Sequence, residues 1–281
     1  MKKKTPSFHI RHNATPEVLR VILTHCLDEK FTREQLACKL NKNIGTINQI
    51  TPLFSQLGLL GPDSFTLTSM GIAFRRLNEQ LSAFVPEAIH HLLYTAHIFD
   101  KGKCFSWAYA DVVDTLWTSE SQVLDGKEKA QLVGRVVEEA TQAFGIPVEQ
   151  IAFSVNSING VLNWLRALDP PVVINTGKRD SFCRRYFCPP VIFLWAVDFL
   201  YRAEKKFYGV RIFLTPERID RLCKLCILDP SGLDNVLMMA KRTSDYDHGG
   251  LFDYGTEGGF GRWILLARPC PVPTLPEDVE R

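Results

Sequence analysis

The sequence lacks any apolar run long enough to cross a bilayer. Its most apolar stretch, residues 191–197, is closed by Asp198, whereas a membrane helix needs ~20 consecutive apolar residues. The basic start at residues 2–4 is followed by FHIRH at residues 8–12, not by the apolar centre of a signal peptide. We therefore expect a protein with no membrane segment and no secretory signal.

The composition also lacks the marks of a disordered or disulfide-stapled chain. With 46% hydrophobic and 23% charged residues it is ordinary for a soluble globular protein. Eight cysteines are scattered along the chain, and without a secretory signal they are expected to be free thiols in the cytoplasm. A length of 281 residues allows two or three domains.

Charge is unevenly distributed although the net charge is only +2. Residues 1–77 contain eleven Lys and Arg against five Asp and Glu, and residues 164–211 contain nine against four. Residues 100–155 contain five against nine. Two basic surfaces separated by an acidic one are therefore expected. A basic block favours a polyanionic partner but is also typical of a solubilising face.

The first 60 residues predict three helices. Thr15 followed by Pro16 is a typical helix start, and Thr32 with Gln35 has the spacing of a capping box. After a polar turn, a third helix is expected from residue 44 or 45 to residue 57, with its apolar positions on one face.

A strand and a further helix are predicted next. Residues 65–68 alternate like a strand, and an amphipathic helix opens at Ser69 with Arg75 and Arg76 at its end. The segment FSQLGLLGPDSFTLTSMGIAF, residues 54–74, resembles the exit of the recognition helix, the wing and the following helix of the winged helix-turn-helix superfamily. The resemblance covers residues 1–80, about a quarter of the chain, and implies a nucleic-acid-binding fold.

By this resemblance, the start of the third helix would face the major groove of DNA. Asn and Gln can pair with adenine through two hydrogen bonds, while Lys and Thr suit phosphate or guanine. The predicted contacts in this domain are Lys42, Asn43, Thr46, Asn48, Gln49, Arg75 and Arg76. Many winged helices bind proteins instead, and polar residues on a helix are often only solvated.

The same order of elements is expected twice more. Residues 81–126 are interpreted as a helical connector, and residues 127–203 as a second winged-helix-like domain with a basic hairpin. Residues 204–281 are interpreted as a third winged-helix-like or α+β domain. The fold class predicted is therefore mainly α with small β wings (α+β), in tandem winged helix-turn-helix domains. Candidate phosphate-binding residues in the second domain are Lys178, Arg179, Arg184 and Arg185.

Metal and catalytic chemistry find little support in the sequence. The glycine-rich stretch at residues 249–261 lacks the spacing of a phosphate-binding loop. Zinc binding is set aside for Cys183, Cys188, Cys223 and Cys226, because the last two fall within a helical pattern. Packing roles are favoured for His90, His91 and His97. One acidic group remains open as a metal-dependent nuclease site: Asp245, Asp247, His248, Asp253 and Glu257.

The function expected from the sequence is non-enzymatic binding of double-stranded DNA in the cytoplasm, without a cofactor. Such a protein would be a transcriptional regulator or the DNA-recognition subunit of a bacterial defence or mobile-element complex. Two alternatives stay open. One is an adaptor whose winged helices bind protein partners, and the other is the metal-dependent nuclease.

Overall fold

The structure, a computed structural model, describes residues 7–26, 31–61, 65–177, 179–247, 249–259 and 261–270. These residues are mainly helical and include two small antiparallel sheets. The predicted class, mainly α with small β elements, is confirmed. Within the described ranges, no helix combines the length and apolarity needed to cross a membrane.

The helices and strands follow one another with short connections. The helices are α1 (Pro16–His25), α2 (Arg33–Leu40), α3 (Ile44–Gln56), α4 (Ser69–Leu81), α5 (Phe84–Phe99), α6 (Cys104–Thr118), α7 (Gly126–Phe144), α8 (Val155–Arg166), α9 (Pro190–Ala203), α10 (Pro216–Cys226) and α11 (Leu233–Asp247). The strands are β1 (Ser121–Leu124), β2 (Val173–Asn175), β3 (Asp180–Cys183), β4 (Ile212–Phe213), β5 (Phe252–Glu257) and β6 (Gly261–Leu266).

Helix starts follow the local capping signals in the sequence. The Thr15 side chain accepts a hydrogen bond from the backbone N–H of Val18, and Pro16 opens α1. Thr32 and Gln35 form both hydrogen bonds of a capping box at the start of α2. These side chains satisfy backbone N–H groups that have no partner inside the helix. The predicted starts of these helices are confirmed.

In place of the strand predicted at residues 65–68, the structure has a single backbone bridge. Leu67 bridges to Leu60, and its N–H donates to the Cys26 carbonyl at 3.0 Å. Leu67 therefore lies between the chain leaving α1 and the chain leaving α3. The helix that follows is also longer than expected, because α4 continues to Leu81. The prediction that Arg75 and Arg76 end this helix is wrong.

The order helix, strand, helix, helix, hairpin occurs twice in the described chain. It is formed first by α6, β1, α7, α8 and the hairpin β2–β3, and again by α9, β4, α10, α11 and the hairpin β5–β6. In both sheets the second hairpin strand is central, with orders β1-β3-β2 and β4-β6-β5. The predicted boundaries cut across these sets, because β1 lies within residues 81–126 and α9 within residues 127–203.

The N-terminal segment, residues 7–14, packs against α8. Phe8 is fully buried, with its ring edge-on to Trp107 and Phe144. The carbonyl of Ile10 approaches Gly160 so closely that a Cβ atom there would lie 2.6 Å from the oxygen. The side chain of Asn163 donates to the His12 carbonyl at 2.8 Å. The start of the described chain is thus joined to its middle.

Candidate nucleic-acid interface

The predicted recognition helix, α3, begins with a cap that uses one of its candidate contacts. Asn43 is the N-cap, and its Oδ1 accepts from the Thr46 N–H at 2.7 Å and from the Thr46 hydroxyl at 3.0 Å. Adenine recognition by Asn needs both the carbonyl and the amide of the side chain. With the carbonyl engaged, Asn43 offers only amide donors, which suit a phosphate or a base acceptor.

The remaining candidates on α3 lie on its outward side. The inward side buries Ile47, Ile50, Leu53 and Phe54. Asn48 and Gln49 are exposed, and Lys42 precedes the helix on the exposed turn. The structure thus brings Lys42, Asn43, Asn48 and Gln49 onto one exposed polar surface, with Thr46 half-buried beside them. We call this the α3 surface.

The α3 surface has positive charge without neighbouring carboxylates in sequence. No Asp or Glu occurs from residue 35 to residue 62. Lys39, near the end of α2, is exposed and adds a cation to that of Lys42. Positive charge combined with amide side chains matches the chemistry of a DNA groove, where phosphates line the edges and base acceptors and donors form the floor.

The two arginines of α4 differ in their availability. Arg75 is half-buried, and its Nε lies 2.7 Å from Oε1 of Glu79, one helical turn later. Arg76 is exposed. Helix α4 packs against α1 and α5. Arg76 is therefore the more available cation of this pair.

The predicted basic hairpin exists, with Arg179 exposed at its tip. The Thr176 N–H donates to the Arg179 carbonyl at 2.9 Å, which closes the turn, and Gly177 supplies the positive φ of 91° that the turn requires. Lys178, also predicted to bind phosphate here, lies outside the described residues. Arg179 thus supplies a described cation at this tip.

The base of the hairpin is fixed by a buried carboxylate. Asp180 accepts from Lys129 at 2.8 Å, from Arg166 at 2.7 Å and from Asn175 at 2.8 Å. Burial works against its charge, but the three donors outweigh burial and lower the pKa of Asp180 below its usual range. These contacts tie α7, α8 and β2 to β3 and so hold the hairpin in place.

The expectation that Arg185 binds phosphate from a return strand is corrected by the structure. Strand β3 ends at Cys183, and the Arg185 side chain is buried. Its Nη1 and Nη2 donate to the carboxylate of Glu87 at 2.6 and 3.0 Å, and its Nε donates to the Cys226 carbonyl at 2.8 Å. These bonds satisfy the guanidinium within the core, so it has no exposed donor for DNA.

Arg184 is also held within the protein. Its guanidinium lies over the Trp117 ring, 3.9 Å from the centroid, and its Nε donates to the Trp117 carbonyl at 2.6 Å. A carboxylate oxygen of Asp229 lies 3.6 Å from Nη1. The expected role of Arg184 as a phosphate contact is therefore corrected to a packing role.

Helices α8 and α11 each lie directly before a hairpin. Helix α8 is largely buried and is covered by the N-terminal segment. Helix α11 exposes Asp234 near its start, where the carboxylate pairs with Arg262 at 2.7 Å.

Among the residues that the structure describes, no group of three or more His, Cys, Asp or Glu could hold a metal. Lys241 pairs with both Asp245 and Asp253. His248 and the Asp247 side chain lie outside the described residues. The proposed nuclease cluster therefore lacks support in the described part.

Among the cysteine and histidine candidates, Cys188, Cys223, Cys226 and His90 are buried, whereas Cys183 is exposed. Cys223 is buried, and burial raises the pKa of its thiol to about 12. Both ring nitrogens of His90 are engaged, by the Tyr109 hydroxyl and the Leu225 carbonyl. Burial lowers the pKa of His90 to about 4, so the ring is neutral at pH 7. These groups do not form an open reactive site.

Sequence reasoning missed an exposed loop between α9 and β4. Lys205, Lys206 and Phe207 are all exposed there. The signal was available, because two lysines directly before an aromatic residue combine the groups that bind phosphate and stack on a base.

The chain matches no protein-family model, no curated protein and no solved structure.

Proposed function

We propose that the protein is a non-enzymatic, cytoplasmic DNA-binding protein that contacts duplex DNA through the α3 surface. It would act as a transcriptional regulator or as the DNA-recognition subunit of a bacterial defence or mobile-element complex, with no cofactor. The observation that carries the proposal is that α3, which follows α2 across a short turn, exposes Asn48 and Gln49 and is preceded by the exposed Lys42.

The topology of the units supports tandem winged-helix domains. In a winged helix, the strand after the first helix pairs with the second strand of the hairpin, as β1 does with β3 and β4 does with β6. The N-terminal unit has the same arrangement in minimal form, with Leu67 between Cys26 and Leu60. On this proposal the units begin at α1, α6 and α9.

Arg179 would provide a second, sequence-independent contact. Its hairpin is anchored by Asp180, so the cation is presented on a fixed support rather than on a mobile arm. A cation of this kind releases a counterion when it meets a phosphate, and the affinity it contributes falls as salt rises.

The test is a fluorescence-anisotropy titration with random-sequence duplex DNA at ~50 and ~200 mM salt. The variants are Lys42→Glu, Asn48→Ala with Gln49→Ala, and Arg179→Glu. We expect wild-type affinity to fall steeply as salt rises. Lys42→Glu and Arg179→Glu should each reduce the slope of log affinity against log salt by about 1, the value for one lost phosphate contact.

Lys101→Glu is the matched control, because Lys101 is exposed on the turn between α5 and α6. This reversal changes the net charge by the same amount as Lys42→Glu. An equal loss of DNA affinity in the Lys101→Glu control would mean that overall charge, and not a contact at Lys42, explains the effect. Wild-type protein that fails to bind duplex at ~50 mM salt would overturn the proposal.

An adaptor function is favoured by a different observation, on the outer face of the sheet β1-β3-β2. Val123 and Ile174 both pair with Ser181, so the three residues form one row across this face. Val123 is 51% exposed and Ile174 is 59% exposed. Exposed apolar surface of this kind is typical of protein-binding sites when it is contiguous.

The same titration separates the two functions. If the protein is an adaptor, it should show no salt-dependent DNA affinity, and Ile174→Lys should abolish recovery of a partner by the tagged protein. If the protein binds DNA, Lys42→Glu should weaken its DNA affinity and Ile174→Lys should not.

A further inference from the structure

Phe207 is the most exposed of the large hydrophobic side chains in the described ranges, at 83%. It lies in the loop of residues 205–210, between α9 and β4. Its neighbour Tyr208 packs inward, with its ring stacked on that of Tyr201 at 5.6 Å and 8° between planes. The chain therefore buries one aromatic residue of the loop and leaves the adjacent one in solvent.

The backbone of this loop is fixed at both ends. The Lys206 N–H donates to the Tyr201 carbonyl at 2.8 Å, and the Gly209 N–H donates to the Leu266 carbonyl at 2.7 Å. The Tyr208 hydroxyl donates to Asp198 at 3.1 Å. These hydrogen bonds fix the backbone that holds Phe207 in its exposed position. An aromatic group on a fixed backbone loses little conformational freedom on binding.

Two exposed cations precede Phe207 in the loop. Lys205 and Lys206 directly precede it, and both are exposed. The nearest acid in sequence, Glu204, accepts from Arg218 at 2.7 and 3.0 Å. The loop therefore combines one exposed ring with two adjacent ammonium groups, next to a carboxylate already engaged by an arginine.

We infer that Phe207 stacks on an unpaired nucleobase while Lys205 and Lys206 contact the flanking phosphates. Aromatic rings and cations along a groove are the usual means by which proteins bind single-stranded nucleic acid. A lipid surface is less well matched, because stable membrane anchoring needs more apolar area or a second anchor. The inference rests on the proposed DNA-binding function and adds to it a preference for DNA with unpaired bases.

The test compares two DNA probes of equal length in anisotropy titrations of the full chain. One probe is a fully paired duplex, and the other carries a central bulge of ~3 unpaired thymines. We expect Phe207→Ala to weaken binding to the bulged probe about tenfold and to leave binding to the paired duplex within about twofold. Phe207→Trp should retain the preference, because the indole ring also stacks.

Tyr186→Ala is the matched control, since Tyr186 is an aromatic residue that is 67% exposed at another place. It should leave both affinities unchanged. Equal binding of both probes by the wild type, or equal loss in the Tyr186 variant, would overturn the inference.

The two proposals fail in different ways. Loss of duplex binding in the Lys42→Glu variant with no effect of Phe207→Ala would leave the proposed function standing and refute the inference. Binding to vesicles containing anionic lipid that requires Phe207, without any preference for the bulged probe, would also refute it in favour of a membrane contact.

Discussion

Arg185 and Glu87, which are 98 residues apart in the sequence, form a buried ion pair with two hydrogen bonds of 2.6 and 3.0 Å. Their side chains are 2% and 0% exposed. Glu87 also accepts from the Asp169 N–H at 2.9 Å, and Arg185 donates to the Cys226 carbonyl. Burial disfavours the charge of Arg185, but Glu87 outweighs burial and raises the pKa of the guanidinium. The pair joins α5, α10 and the chain after α8 at one point.

Removing one member of this pair should be strongly destabilising. Arg185→Met leaves the carboxylate of Glu87 buried without its counter-charge, and the expected loss of unfolding free energy is about 3–5 kcal/mol. Urea denaturation followed by circular dichroism would measure it. Arg179→Met, at an exposed arginine, should change the unfolding free energy by less than about 0.5 kcal/mol. A loss below ~1 kcal/mol for Arg185→Met would contradict the assigned role.

Asp180 should make the stability of the protein fall in acid. Its pKa is lowered in the folded protein, so its contribution is present above the usual value of 3.8 and is lost as the pH falls below it. Asp180→Asn should lower the unfolding free energy at pH 7 by on the order of 2 kcal/mol and flatten the acid limb of the curve. Asp220→Asn, at an exposed aspartate, is the control and should change the unfolding free energy at pH 7 by less than about 0.5 kcal/mol.

Asp111 should make the stability of the protein fall as the pH rises, the opposite of the effect of Asp180. Burial, together with a hydrogen bond to Glu139, raises the pKa of Asp111 to about 8. The folded protein therefore keeps a proton that the unfolded chain releases near pH 4, and stability falls as the pH rises from about 4 to about 8.

Asp111→Asn is uncharged at every pH and tests this prediction. It should remove the decline, making the variant more stable than wild type at pH 8 by about 1 kcal/mol or more. Thermal unfolding between pH 5 and pH 8 would measure the difference. Glu138→Gln, at an exposed position on α7, is the control and should change the unfolding free energy by less than about 0.5 kcal/mol. A parallel decline in the Asp111 variant would count against the assignment.

Gly160 should be intolerant of a side chain. A Cβ atom there would lie 2.6 Å from the Ile10 carbonyl oxygen and 2.9 Å from its side chain, so α8 or the N-terminal segment must move. Gly160→Ala should cost about 1–3 kcal/mol and increase hydrogen exchange in residues 7–14. Gly134→Ala is the control, because a Cβ at Gly134 meets no atom within 4 Å and alanine favours a helix. Unchanged exchange in residues 7–14 together with unchanged stability would contradict the close approach of Ile10 to Gly160.

The local parts of the fold could be predicted from the sequence, because their causes lie within a few residues. The caps Thr15 and Thr32 and the turn before α3 depend on neighbours three positions away. The exposed candidates on α3 follow from the same periodicity, since a helical stripe of apolar residues fixes which side chains face outward.

The long-range parts could not be predicted, because a local pattern does not identify its partner. Arg184 and Arg185 follow a hairpin and look like its exposed basic edge. The burial of Arg185 depends on Glu87, which lies on the distant α5, and the packing of Arg184 depends on Trp117. Likewise, nothing near β1 indicates that it pairs with β3, across the whole of α7 and α8.

The packing of residues 7–14 against α8 has a consequence for the order of events during synthesis. The backbone oxygen of His12 is bonded by Asn163, 151 residues later, and Phe8 is enclosed by Trp107 and Phe144. A ribosome makes Asn163 151 residues after His12. Until then Phe8 and Ile10 lack their complete native site. These two apolar residues therefore stay open to chaperones and to aggregation while the intervening chain is made.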